Sequence, residues 1–153
     1  MATVYGAYAT DRLVDVPSDK IPANGNHGVV RVAYDSYALT ADLAAADIIT
    51  LGRIPAGARV AGYWLKSADL DASGGTVNLG WAASSDAVEA ADPDGFLLTA
   101  DVTSAITIDH GDQENMVGLG KVFSSAVDVI ITTVGDTDAT SGTISACIFY
   151  VVD

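Results

Sequence analysis

A chain of 153 residues is the size of one domain, and half of its residues are hydrophobic, which excludes a largely disordered protein. Twenty acids against seven Lys and Arg give a net charge of −13, which repels phosphate backbones and argues against direct nucleic-acid binding. A single cysteine, Cys147, excludes an intrachain disulfide, and no run approaches the roughly 18 apolar residues that argue for a membrane-spanning helix.

Residues 1–16 lack a basic stretch followed by an apolar one, so no secretory leader is predicted and synthesis in a host cytoplasm is expected. Residues 1–26 read as an extended arm rather than a core segment. Pro17, Pro22, Gly25 and Gly28 punctuate it, and Asn24-Gly25 is a turn signal. Its apolar residues are spaced irregularly. Such a segment is ordered either by a partner or by packing across its own domain. On the first reading Val4, Tyr5, Tyr8, Arg12, Leu13, Lys20 and Ile21 are the partner-contact residues.

From Val29 onward the signal is β. Val29–Tyr34 is branched and aromatic, which favours a strand. Residues 39–46 form one helical turn or a loop. Asp47–Ile54 and Arg59–Lys66 read as strands separated by Pro55-Ala56-Gly57. Thr76–Trp81 alternates with period two: Val77, Leu79 and Trp81 share a face, and Thr76, Asn78 and Gly80 the other. Ser85–Ala91 predicts a short helix, with a serine N-cap and early acids. Asp92–Gly95 then reads as a tight turn. Phe96–Leu98 and Ser104–Ile108 are short strands, and Asp109–Asn115 is an acidic loop. Val127–Val134 and Thr143–Val152 are the last strands. The final one carries Ile144, Ala146, Ile148 and Tyr150 on one face and Cys147, Phe149 and Val151 on the other, which predicts a central or doubly covered strand.

Short strands at this spacing, without βαβ alternation, predict an all-β fold. The expected form is an antiparallel β-sandwich, jelly-roll-like, of about eight strands with an extended N-terminal arm and one short helix. Residues 1–26 form the arm and 27–153 the sandwich domain. The sequence does not order the strands, so another Greek-key arrangement stays open.

A search for chemistry finds little. His27 and His110 have no second ligand at metal-binding spacing. Cys147 lies in a strand with nothing beside it to lower its pKa, so it reads as a buried structural thiol. The pairs Asp69/Asp71, Asp92/Asp94 and Asp109 with Asp112 and Glu114 lack the loop pattern of a calcium site, although the last is the best placed for a cation. Trp64 and Trp81 could form a sugar platform, but the alternation of Trp81 with Val77 and Leu79 favours the core. No nucleophile elbow or phosphate loop is present. The expectation is a non-enzyme with no catalytic residue, no cofactor and no metal. From Ser67 to Gly120 there are ten acids and no Lys or Arg, and six of the seven bases precede Ser67. The N-terminal portion is therefore the better candidate for contact with an acidic partner.

Two segments carry a family resemblance: Ile49–Val60, with Gly52-Arg53-Ile54-Pro55-Ala56-Gly57-Ala58, and Asp69–Trp81, with Thr76-Val77-Asn78-Leu79-Gly80. A strand ending in G-x-I-P-A-G-A, a second apolar strand and a glycine-rich turn into T-V-x-L-G resemble small structural proteins of tailed bacteriophages. The match covers residues 47–91. The resemblance implies a virion protein of the capsid decoration or cement type. It would bind the outside of the major capsid lattice, with the major capsid protein and itself, as a homotrimer, for partners. A head-fibre base, a connector or a tail or baseplate module is the alternative within virions, and a carbohydrate-binding adhesin module the alternative outside that class.

Overall fold

The computed structural model describes residues 29–70, 74–109 and 117–152. These contain eight strands: β1 (Val30–Leu39), β2 (Ile48–Ile54), β3 (Ala58–Ser67), β4 (Thr76–Trp81), β5 (Asp92–Asp101), β6 (Ile106–Asp109), β7 (Val127–Thr133) and β8 (Gly142–Val152). They form two four-stranded sheets. Sheet A has the order β1-β8-β3-β6 and sheet B the order β2-β7-β4-β5. Every pairing is antiparallel. The chain changes sheet at every connection except the one between β4 and β5.

The period-two patterns explain why the sheets share one core. Val60, Tyr63 and Leu65 of β3 and Ile144, Ala146 and Ile148 of β8 are buried from sheet A. Ile49, Leu51 and Ile54 of β2, Val77, Leu79 and Trp81 of β4, Phe96 and Leu97 of β5, and Val127, Val129 and Ile131 of β7 join them in one cluster from sheet B. Tyr63 and Phe96 meet between the sheets with ring centroids 5.6 Å apart. Burying each such aliphatic or aromatic side chain contributes about 1.5–3 kcal/mol. β8 lies between β1 and β3, as its two apolar faces predict.

Two local expectations are corrected. No helix is present among the described residues, and 84–91 folds as a turn. Ser84 Oγ accepts from Glu89 N at 2.9 Å and donates to Asp86 Oδ1 at 2.6 Å, while Asp86 Oδ1 also accepts from Val88 N. Side-chain bonds to nearby backbone compete with helix, and Ala87 at φ 57° breaks any helical run. The tight turn expected at Asp92–Gly95 is instead the start of β5, where Trp81 pairs with Asp92 through an irregular register. A Cβ on Gly80 would collide with the backbone of Asp92 and Pro93, and one on Gly95 with the Trp81 ring. Those two glycines let β5 press across β4, and Pro93 is tolerated because β5 is an edge strand.

Leu39 ends β1, and residues 40–47 form a loop, closed by Ala44 N donating to Asp47 Oδ2 at 2.9 Å. The expected boundary between arm and domain, near residue 27, lies outside the described residues.

Candidate interaction surface

The outer face of sheet A is assembled from rows of side chains running across β1, β8 and β3. Register places Val30 beside Val151 and Arg59, Val32 beside Phe149 and Gly62, Tyr34 beside Cys147 and Trp64, and Ser36 beside Ser145 and Lys66. Residues of like parity share a face, so β1 turns Val30, Val32 and Tyr34 outward, and they are 58%, 51% and 58% exposed. Trp64, Phe149 and Val151 are half-buried. The Tyr34 and Trp64 rings lie 5.8 Å apart at 49°.

Cys147 sits between those two aromatics in the same row, and it is 4% exposed although it lies outside the core cluster. The rings on either side account for that burial, and sulfur–aromatic contact is favourable. Burial pushes the thiol pKa up, which keeps Cys147 protonated and inert near neutral pH.

Beside the aromatic pair lies a cleft of about 420 Å³ lined by Tyr34, Trp64, Lys66, Ala105, Thr143 and Ser145, among others. Arg59 and Lys66 of β3 are exposed on this face. The outer face of sheet B carries Ile48, 61% exposed, with Thr50, Asn78 and Thr132 and an ion pair between Arg53 and Asp128 at 3.6 Å. What distinguishes the outer face of sheet A is its aromatic side chains, Tyr34, Trp64 and Phe149.

The polar cluster around the 84–91 turn is structural. Lys121 Nζ pairs with Glu89 Oε2 at 3.0 Å and lies 5.4 Å from the Trp81 ring and 5.1 Å from the Phe123 ring. Ser124 N donates to Glu89 Oε1 at 2.6 Å, and that bond is the main reason the Glu89 pKa is lowered. Ser125 Oγ donates to Asp86 Oδ2 at 2.6 Å, and together with Ser84 it holds the Asp86 pKa at about 2.

The sequence-derived candidates fare unevenly. Val4, Tyr5, Tyr8, Arg12, Leu13, Lys20 and Ile21 lie outside the described residues, as do His27, His110, Asp71, Asp112 and Glu114. Asp92 and Asp94 are brought together, and burial, then Asp94, raises the Asp92 pKa. Among the described residues no group of three His, Cys, Asp or Glu converges on a metal position. Trp64 and Trp81 form no shared platform: Trp64 is on the outer face of sheet A, and Trp81, 2% exposed, is in the core. The Tyr34–Cys147–Trp64 row was not singled out from sequence. Its signal was the apolar outward face of β8.

No family model and no curated protein matches the chain. Solved structures are similar to it. A chain of the capsid asymmetric unit of cyanophage Pam1 is 24% identical with a TM-score of 0.65, covering 87% of this chain and 91% of that one. A chain of the capsid of Ralstonia phage GP4 is 19% identical with a TM-score of 0.63, covering 87% and 89%. The likeness shows a shared fold along most of both chains.

Proposed function

We propose that this chain is a structural protein of a tailed-phage virion, a decoration protein that binds the outside of the major capsid lattice and stabilises it. The observation that carries this reading is the whole-length fold likeness to chains of two phage capsids. Agreement with the sequence resemblance over residues 47–91 supports it, because that rests on local motifs and this on strand arrangement. We read the interleaved orders β1-β8-β3-β6 and β2-β7-β4-β5 as a jelly-roll sandwich, an architecture used in viral capsids.

On this reading the chain acts through binding and not catalysis. Arg59 and Lys66 supply cationic contacts on the outer side of sheet A, and residues 1–26 add contacts to the major capsid protein or to neighbouring copies in a homotrimer. Contacts of modest strength suffice when a lattice repeats them, because multivalent attachment acts through effective concentration. The acidic remainder of the surface repels packaged nucleic acid.

The decisive measurement is the copy number per purified virion, by quantitative mass spectrometry against the major capsid protein. One copy per capsid subunit, or one trimer per lattice junction, is expected. A handful of copies would reassign the chain to a connector, fibre base or tail part, and absence from particles would overturn the virion reading.

A further inference from the structure

Nothing among the described residues covers the outer face of sheet A. Val30, Val32 and Tyr34 stand exposed beside half-buried Trp64 and Phe149, and contiguous apolar surface of this kind marks an interaction site. β1 is also the end strand of its sheet, ten residues long and free of proline, a kind of edge that proteins cover or blunt. We propose that residues 1–28 of the same chain dock on this face, over the Tyr34–Trp64 pair. The proposal holds whether or not the protein binds a capsid.

Three observations identify the occupant. The chain joins β1 at Val29, which is 77% exposed, next to the row of Val30, Val151 and Arg59, so the preceding segment starts at the apolar end of the face. Its length is ample: 28 residues can extend roughly 90 Å, whereas β1 spans roughly 33 Å and three inter-strand gaps roughly 14 Å. Asn24-Gly25 and Gly28 supply residues suited to a reversal just before β1. Its composition fits as well. Tyr5, Tyr8, Leu13 and Val14 offer apolar contacts, and Asp11 and Asp15 offer partners of opposite sign to Arg59 and Lys66. Tethering places the segment at an effective concentration in the millimolar range, which favours its own face over that of a second copy. Docked there, its outward side chains and the two β3 cations would present one continuous contact surface.

The two tryptophans provide the test. Trp81 is core-buried, so collisional quenching by acrylamide reads Trp64. In the full-length chain, Leu13→Asp with Val14→Asp is expected to raise the Stern–Volmer constant about two-fold while near-ultraviolet circular dichroism stays native. An unchanged constant would overturn the proposal. Should the double variant lose its fold, a second full-length chain with Tyr8 replaced by photoreactive benzoylphenylalanine decides. Crosslinks within a single chain to peptides of β1, β3 or β8 are the expected result. Crosslinks only between two copies, or none to sheet A, would overturn it.

Discussion

Trp81 and Trp64 stand on different sheets and face opposite environments. Trp81 donates through Nε1 to Ala90 O at 3.0 Å, and its ring meets Phe96 and Phe123 at centroid distances of 5.1 Å. Gly95 leaves the space the ring occupies. Trp81→Ala therefore removes a large core side chain from a site that cannot collapse around a backbone already in contact with it. The expected loss is about 3–5 kcal/mol, read from urea denaturation midpoints at constant slope. Trp64→Ala strips a half-buried ring from a sheet surface, and about 1 kcal/mol is expected there. Equal losses would contradict the placement of the two rings. A different residue-scale argument applies to Thr99, a β-branched residue at φ 58° where β5 bulges against β4, with Thr99 N donating to Asn78 Oδ1 at 2.7 Å. Left-handed backbone is costly for such a side chain. Thr99→Gly relieves that cost but gives the unfolded chain more freedom, and the net expectation is a gain of about 0.5 kcal/mol in the same denaturation experiment.

At the scale of elements, the 84–91 turn is held to the 121–125 segment by carboxylates, and this makes it sensitive to acid. Asp86 titrates at about 2, below its ordinary 3.8, because the hydroxyls of Ser125 and Ser84 and the Val88 N–H donate to its charged form. A carboxylate with a depressed folded pKa contributes stability above its unfolded pKa, and that contribution is lost as pH falls through the folded one. Stability should therefore decline between about pH 4 and pH 2, with Glu89 acting in the same direction. Asp86→Asn should flatten the thermal midpoint against pH across that window. An identical slope in both proteins would show that the turn is not held in this way. The same turn marks the limit of what sequence made legible. Strands β2, β3, β4, β7 and β8 were readable within a residue or two, because branched residues at period two and Gly or Pro breaks are local signals. Residues 84–91 carry helix-favouring composition, and partners some 35 residues distant, Ser124 and Ser125, decide against it. The start of β5 was unreadable for a related reason: the Gly80 and Gly95 contacts exist only once β4 and β5 are paired. The outer face of sheet A required the order β1-β8-β3 to bring Tyr34, Cys147 and Trp64 into line, and strand order has no local signature.

For the molecule as a whole, the balance of charge and apolar surface sets how it meets other surfaces. A chain of net charge −13 repels most acidic partners and other copies of itself. Arg59 and Lys66 are the exception in placement, since both stand exposed on the face that also carries Val30, Val32 and Tyr34. Charges at the edge of an apolar contact act mainly on encounter rate and salt dependence, while the apolar centre resists dissociation. The two contributions can be separated on capsids lacking this protein. Arg59→Glu with Lys66→Glu reverses two exposed charges without touching the core, so the thermal midpoint should hold within a degree or two. Association with the capsids should slow by about ten-fold at low salt. Because the Debye length contracts from about 30 Å at 0.01 M to about 3 Å at 1 M, the difference from the unaltered protein should shrink as salt is raised. Replacing Val32 by Asp should act on the other quantity by releasing the docked segment, quickening dissociation at every salt concentration. If both variants bind as the unaltered chain does, the contact lies elsewhere on the molecule, and the aromatic face of sheet A serves the chain's own segment alone.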